Sequence, residues 1–178
     1  AMMEDFKNQA ERFGTEVRFG VVTKVELSDK KGGIHKVTVD GSKIIEANTV
    51  IISTGATAKY LGLESEQRLI GGGVSACATC DGFFYKGQEV VVVGAGDTAA
   101  EEATYLSNIC KKVTILVRKD YMRASKAMQH RVSKTPNIEV LYNTEIDEVL
   151  GEKVVEGVRV FNNITNEKKV IDVTGIFV

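Results

Sequence analysis

The sequence predicts an α/β protein in which helices cover a parallel sheet and a three-stranded antiparallel meander adjoins it. Two observations predict this fold class. In the first, four valines at 90–93 precede a glycine turn and an alanine-rich helical segment at 97–107, and a second apolar strand follows at 112–117. Strand, helix and strand in this order form a parallel pair with a right-handed crossover. In the second, the order helix, strand, meander, strand occurs in residues 3–55 and again in 123–178.

Periodicity and turn residues predict the individual helices and strands along the chain. Apolar residues at helical spacing predict helices, β-branched or alternating runs predict strands, and Asp40-Gly41 favours a tight hairpin. The predicted elements are a helix at 3–13, extended structure at 16–26, strands at 35–40 and 42–46, a short buried strand at 50–53, a loop with one helical turn at 56–73, strands at 89–93 and 112–117, helices at 97–107 and 123–133, and strands at 138–142, 145–150, 154–161, 169–173 and 175–178.

The internal repeat also predicts the domain organisation. Only the second copy is preceded by a glycine-rich strand–helix–strand unit. We therefore expect residues 1–57 to be the incomplete back half of a second nucleotide-binding domain, and residues 58–174 to form a complete one. Residues 175–178 are expected to begin a return to the first domain, so the chain is interpreted as an excised piece.

The amino-acid composition narrows the range of possible functions. The 178 residues are 43% hydrophobic and 26% charged, as in ordinary globular proteins. No apolar run approaches the roughly 20 residues of a membrane helix, and the N-terminus lacks a signal peptide, so we expect a cytoplasmic protein without membrane contact. Residues 111–134 carry eight of the 23 Lys and Arg but one of the 24 Asp and Glu. This local basic patch favours a discrete anionic ligand over nucleic acid.

Gly94-x-Gly96-x-x-Ala99 matches the fingerprint of a Rossmann-like dinucleotide-binding turn. Its first Gly makes the tight turn, its second lets the backbone approach the pyrophosphate, and its third position packs helix on strand. Asp97 and Thr98 lie at the start of the following helix, whose N-terminus attracts phosphates. A glycine turn of purely structural purpose is the alternative interpretation.

The residues after the second strand distinguish the nucleotides. An NAD site expects an acidic residue there, whereas this chain has Arg118, Lys119 and Arg123, which suit the 2′-phosphate of NADPH. In the alternative interpretation these are solvated charges at a helix start. Asp120 is then a cap of that helix rather than a ribose ligand.

Cys77-x-x-Cys80 permits three interpretations. A structural zinc site needs further ligands, and Cys110, His35 and His130 form no second pair, so no metal is expected. Unreactive core cysteines are a second possibility, and the one we favour for Cys110. The third is a redox disulfide, in which the adjacent Asp81 serves as general acid to a departing thiolate.

Three stretches together resemble the bacterial-type, low-molecular-weight thioredoxin reductases: CATCDGFF at 77–84, GAGDTAAEEATYLS at 94–107 and the RKDxxRA run at 118–124. The resemblance implies a Rossmann-like NADP domain inserted into an FAD domain, with FAD and NADPH as cofactors. It implies thioredoxin as partner and a homodimer for the intact enzyme. The family's basic motif commonly begins His-Arg-Arg, where this chain has Val117 and Lys119 in the first and third places.

The resemblance further implies that electrons pass from NADPH through FAD to the Cys77–Cys80 disulfide and on to thioredoxin. Cys80 is then expected to face the flavin, Cys77 to attack thioredoxin and Asp81 to supply the proton. The segment Thr54-Gly55-Ala56 is expected near FAD and the domain hinge. Two alternatives stay open: an NADP-binding module without activity of its own, and the reductase portion of an alkyl hydroperoxide reductase flavoprotein.

Overall fold

A computed structural model describes residues 2–178. The chain divides into two compact units that meet in sequence at Gly55 and Ala56. The predicted fold class is confirmed, because a parallel sheet flanked by helices and three-stranded antiparallel meanders are present.

The first unit contains one helix and one meander. Its elements are α1 (Met2–Glu11), β1 (Val22–Glu26), β2 (His35–Val39) and β3 (Lys43–Ala47). The strands pair antiparallel in the order β1-β2-β3. The hairpin predicted at Asp40-Gly41 is confirmed, since β2 and β3 flank it in continuous register.

Two predicted strands of the first unit differ from the structure. The extended segment at 16–26 forms a strand only from Val22 onward, and residues 50–53 form no strand. Ile51 is 89% exposed in place of the predicted burial. A strand requires a hydrogen-bonded neighbour. Within the described part of this unit, β1, β2 and β3 pair only with one another, and residues 50–53 have no such neighbour.

The second unit is built on five parallel strands. Their spatial order is β4 (Val74–Ser75), β11 (Gly175–Phe177), β5 (Glu89–Val93), β6 (Lys112–Val117) and β7 (Ile138–Tyr142). From β5 the chain winds outward to β7 on one side, and β11 lies on the other side of β5. The C-terminal end of β5 is therefore the point at which the winding direction reverses, where open α/β sheets bind their ligands.

Helices and a second meander complete this unit. The helices are α2 (Glu64–Arg68), α3 (Ala78–Asp81), α4 (Asp97–Ser107) and α5 (Lys126–Lys134), with a 3-10 turn at Gly82–Tyr85. The meander consists of β8 (Thr144–Leu150), β9 (Gly157–Asn162) and β10 (Lys168–Ile171). The sequence predicts these elements, apart from shifts of a few residues at their ends, with the exception of α3 and the 3-10 turn, which lie in a segment for which no element was predicted.

Two hydrophobic cores lie on opposite faces of the parallel sheet. Successive side chains of a strand point to opposite faces, so Val90 and Val92 enter one core and Val91 enters the other. The first core includes the buried faces of α4 and α5, and the second includes those of β8 and β9. Burial on both faces explains why β5 is a continuous valine run rather than an alternating one.

Residues 175–178 differ from the predicted domain boundary. We expected them to begin a return to the first domain, whereas Gly175–Phe177 lie inside the parallel sheet between β4 and β5. Ile176 and Phe177 are fully buried there. The position agrees with the repeat comparison, which matches this segment to the last strand of the copy. Within residues 2–178, no helix is both long and apolar enough to cross a bilayer.

Replacing Ile176 with Ala tests the central place of β11. We expect the free energy of unfolding of the second unit to fall by about 2–5 kcal/mol, because a buried side chain leaves a cavity. Ile164→Ala is the matched control, since Ile164 is 72% exposed and its loss is expected to change stability by less than about 0.5 kcal/mol. Guanidinium unfolding followed by circular dichroism measures both, and equally small changes would contradict the position of β11.

Candidate active site

The glycine turn lies between β5 and α4, at the carboxyl edge of the sheet. Gly94 has a φ of +143°, a conformation that L side chains rarely adopt, and an added Cβ would stand 3.0 Å from the Cβ of Ala99. Ala99 is itself 7% exposed and belongs to the helix-side core. The close packing of α4 on β5 therefore requires Gly at 94 and favours a small residue at 99.

The absence of a side chain at Gly96 matters for a different reason. Its backbone is in the ordinary extended region, with φ −88° and ψ −179°, and it is the N-cap of α4. A Cβ there would meet nothing within 4 Å. The fold therefore does not require Gly96, and the space in front of it is open to a ligand. An open backbone approach at a helix N-terminus fits the pyrophosphate of a dinucleotide.

A cavity of about 500 Å³ opens beside this turn. Its lining contains Gly94 and all three basic residues that the sequence analysis selected, Arg118, Lys119 and Arg123. The remaining lining residues are Leu61, Leu63, Val93, Ala95, Leu116, Tyr121, Thr144, Glu145, Ile146 and Phe161. A recess lined by apolar side chains together with a few charged groups is typical of a cofactor site.

The basic side chains of this cavity remain available to an anion. Arg118, Lys119 and Arg123 are exposed, and none forms an ion pair with any part of the chain that the structure describes. Lys119 Nζ lies 3.1 Å from the hydroxyl of Tyr121 and 5.2 Å from the centre of its ring. The arrangement supplies two guanidinium groups and one ammonium group, which suit a phosphate monoester.

Asp97 connects the glycine turn to the segment that carries Arg123. Its Oδ1 accepts a hydrogen bond of 2.9 Å from the Ser125 backbone N–H. Hydrogen bonds from Ser125 lower the pKa of Asp97, with the larger contribution from the backbone N–H and the smaller from the side chain. The backbone N–H groups of Arg123 and Ala124 both donate to the carbonyl of Ala95, at 2.7 and 2.8 Å. These bonds hold the basic segment against the turn.

The second helix of this region begins later than predicted. The expected helix at 123–133 begins at Lys126, and its N-cap is Ser125, whose hydroxyl accepts a bond from Met128 N. The suggestion that Asp120 caps this helix is therefore wrong. Arg123 lies in the preceding loop, which allows it to reach the cavity. Thr98 is exposed on the first turn of α4 and does not line the cavity.

A loop for which the sequence predicted no role forms one wall of the cavity. Leu61 and Leu63 belong to it, and a fully buried carboxylate, Glu66, fixes its course. Glu66 accepts hydrogen bonds of 2.9 Å from the backbone N–H groups of Leu61 and Gly62. These bonds satisfy both carboxylate oxygens of a group that is costly to bury alone. Nothing in the sequence indicates which acidic residue beside this loop is buried.

Cys77 and Cys80 form a disulfide at the start of α3, with Cα atoms 5.3 Å apart. Cys77 is the N-cap, and its Sγ accepts from Cys80 N at 3.3 Å. Cys80 is exposed and Cys77 is half-buried, so an external thiol can reach the bond. The third cysteine, Cys110, is buried as predicted, and burial raises the pKa of its thiol to about 11.

The segment Cys77–Asp81, the redox turn, is held by two side chains from outside α3. Glu102 of α4 accepts a hydrogen bond of 3.2 Å from Ala78 N. Ser75 of β4 donates to Asp81 Oδ2 at 2.6 Å and accepts from Cys77 N at 3.1 Å. Neither residue was predicted from the sequence, because neither Ser nor Glu stands in a recognisable pattern with the cysteines.

Most of the predicted site residues thus fall into two groups within the second unit, and a third group lies where the two units meet in sequence. Gly94 and the three basic residues meet at the cavity, and Cys77, Cys80 and Asp81 meet at the redox turn. Both groups contact α4. Thr54, Gly55 and Ala56 are exposed in a segment without helix or strand between Ala47 and Glu64. Their expected place near FAD stays a prediction.

The fold is that of a pyridine nucleotide-disulphide oxidoreductase. The profile of that family matches residues 2–178, and the chain belongs to it.

The predicted resemblance to thioredoxin reductases is confirmed. A thioredoxin reductase of Rickettsia felis is 46% identical over 180 residues, which cover 99% of this chain and 57% of the relative. One of Streptomyces coelicolor is 45% identical, covering 99% and 54% respectively. The structure of thioredoxin reductase from Giardia duodenalis superimposes with a TM-score of 0.83 at 38% identity, covering 99% of this chain and 57% of that one. The chain therefore spans somewhat more than half the length of these relatives.

Replacing Gly96 with Ala tests the open approach at the turn. We expect a stability change of no more than about 1 kcal/mol, because only the N-cap changes. Affinity for NADPH and NADH is expected to fall by about tenfold or more, because the Cβ occupies the space that the shared pyrophosphate needs. Calorimetric titration and thermal unfolding measure the two effects. Gly94→Ala is the contrasting variant, expected to lose stability, and unchanged affinity in Gly96→Ala would contradict the assignment.

Proposed function

We propose that this chain belongs to an NADPH-dependent flavoprotein that reduces the disulfide of thioredoxin. The observation that carries the proposal is the attachment of an accessible disulfide and of a basic, glycine-lined cavity to the same helix, α4. Ala78, at the redox turn, bonds to Glu102 of α4, and Gly96 caps the N-terminus of that helix. The names of the relatives support the choice of thioredoxin as substrate over a peroxide-linked partner.

The cavity residues have defined roles in this proposal. Gly94 and Gly96 let the pyrophosphate approach α4, while Asp97, Thr98 and Ala99 form the first turn that faces it. Arg118, Lys119 and Arg123 hold the 2′-phosphate. When bound, the nicotinamide and the flavin supply hydride and two-electron chemistry, with Thr54, Gly55 and Ala56 proposed to lie near the flavin.

The redox turn carries out the thiol chemistry. The Cys77 thiolate attacks the thioredoxin disulfide, so that one sulfur of thioredoxin leaves with its electron pair and a mixed disulfide forms. The Cys80 thiolate then attacks Cys77, re-forms the Cys77–Cys80 bond and releases the second thioredoxin sulfur. Two electrons pass to thioredoxin in this exchange, and Asp81 supplies a proton to a departing thiolate.

The proposal extends to the setting of the protein. Cys110 is buried, and the remaining cysteines form a C-x-x-C pair rather than a framework of structural disulfides. This usage supports a cytoplasmic location. A homodimer is proposed from the resemblance, and a small anionic ligand is preferred to nucleic acid because the free cations converge on one cavity.

A charge-neutral variant tests the nucleotide assignment. Replacing Arg118, Lys119 and Arg123 with Gln is expected to weaken NADPH binding by about a thousandfold or more, since hydrogen bonds to charged groups contribute about 1.5–3 kcal/mol each. NADH, which lacks the 2′-phosphate, is expected to change far less. Calorimetric titration with both nucleotides measures the difference.

Lys126→Gln, Arg131→Gln and Lys134→Gln together are the matched control for net charge. All three residues are exposed and belong to the same basic segment, but none lines the cavity. Their loss is expected to leave NADPH binding nearly unchanged. Equal losses for NADPH and NADH in the triple variant would overturn the phosphate clamp.

Transfer of electrons to thioredoxin is testable on this chain without flavin. The chain is reduced with dithiothreitol, freed of reductant and mixed with oxidised thioredoxin, and the new thioredoxin thiols are counted. Cys77→Ser and Cys80→Ser are expected to abolish stoichiometric transfer, because each removes one half of the dithiol. Cys110→Ala, which replaces the buried third cysteine, is expected to transfer as the parent chain does. Release of two thioredoxin thiols per chain by either single-serine variant would contradict the dithiol role, because one cysteine alone forms a mixed disulfide and releases only one thiol.

A further inference from the structure

Ser75 lies at the end of β4, where its hydroxyl stands between two groups of the redox turn. It donates to Asp81 Oδ2 at 2.6 Å and accepts from the backbone N–H of Cys77 at 3.1 Å. The residue is 6% exposed. Its hydroxyl proton and one lone pair are therefore both used within the protein, as a buried hydroxyl requires.

The backbone of Ser75 is fixed by the parallel sheet. Ser75 is paired with Phe177 of β11, and its carbonyl accepts a hydrogen bond of 3.0 Å from Val178 N. The hydroxyl is thus presented from a sheet strand, whereas Asp81 belongs to a short helix of four residues. A rigid element thereby defines the orientation of a side chain on a less regular one.

Asp81 has one held oxygen and one free oxygen. Within residues 2–178, Oδ2 bonds to Ser75 and Oδ1 has no hydrogen-bond partner. Asp81 also lines a second cavity, of about 450 Å³, together with Gly73, Gln88 and Thr174. The carboxyl group therefore has a free oxygen that can carry a proton. Solvent in the adjoining cavity can supply a new proton after the first has been transferred.

We propose that Ser75 is a positioning residue for disulfide exchange, which orients the Asp81 carboxyl toward the Cys77–Cys80 bond. The inference rests on the proposed function, in which Asp81 is the proton donor. It adds that the donor acts only while the Ser75 hydroxyl holds Oδ2. The same hydroxyl fixes the Cys77 backbone, so that acid and cysteine share one reference point.

Opening of the disulfide by dithiothreitol isolates this step. A dithiothreitol thiolate attacks one sulfur, the Cys77–Cys80 bond breaks, and the other sulfur leaves with the electron pair and takes up a proton. The second dithiothreitol thiolate then attacks the mixed disulfide, closes its ring and releases the remaining cysteine. The protein disulfide gains two electrons and dithiothreitol loses two.

The experiment measures the opening rate on the full chain below the ordinary thiol pKa of about 8.5, where protonation of the leaving sulfur matters most. We expect Asp81→Asn and Ser75→Ala each to slow opening by about tenfold to a hundredfold, at or below the lower end of the effects typical of general acid catalysis. The double variant is expected to match Asp81→Asn alone, because Ser75 acts through Asp81. Ser107→Ala is the control, since it removes a hydroxyl bond to Thr104 O within α4 and should leave the rate unchanged.

Ser75→Thr and Ser75→Val keep the test independent of folding. The two side chains have nearly the same shape and share any packing cost, so their difference reports the hydroxyl. Ser75→Thr is expected to open at least five- to tenfold faster than Ser75→Val at equal melting temperature and equal NADPH affinity.

Three results would overturn the inference. In the first, Ser75→Ala slows opening by the same factor with Asp81 and with Asn at 81, which assigns Ser75 to the shape of the turn. In the second, Asp81→Asn is slow but the Ser75 variants are normal, which rejects Ser75 and leaves the donor intact. In the third, Asp81→Asn is also normal, which rejects the proton donor of the proposed function together with the inference.

Discussion

Burial of β5 on both faces is the constraint on which the second unit depends. Val90, Val91 and Val92 are at most 1% exposed, and they divide between two cores on opposite sides of the sheet. The backbone groups of such a buried strand need hydrogen-bond partners within the protein, and β6 and β11 supply them on its two edges. The chain can leave this strand only through a sharp turn, and Gly94 provides it. The position of the basic cavity therefore follows from the packing of three valines.

The helix that follows this turn serves two sites. Its N-terminus faces the open space before Gly96, and Glu102, about one and a half turns further on, holds the redox turn by a backbone hydrogen bond. The helix is packed through buried residues, including Ala99, Ala103 and Leu106. A displacement of either site relative to the other would have to break this packing. The cavity and the disulfide are consequently fixed to one body.

The sequence predicted the elements whose partners are local or strongly patterned. The valine run, the glycine turn and the basic cluster were sufficient to place Gly94, Arg118, Lys119 and Arg123 at one site. The strand at 50–53 was predicted wrongly, because its apolar composition reports a need for burial and not the presence of a neighbour. Ser75, Glu66 and Glu102 were missed for a related reason. Each is an ordinary polar residue whose role appears only when distant backbone groups come within hydrogen-bond distance.

The contact between Lys119 and Tyr121 has a consequence for the cost of binding an anion. A free lysine side chain on a protein surface samples many rotamers, and ordering it on a ligand costs up to about 2 kcal/mol of conformational entropy. In this structure the Lys119 ammonium already lies over the Tyr121 ring and against its hydroxyl. Part of that entropy is lost before any ligand arrives. A lysine at this position thereby gains some of the preorganisation that the planar fork of an arginine possesses intrinsically.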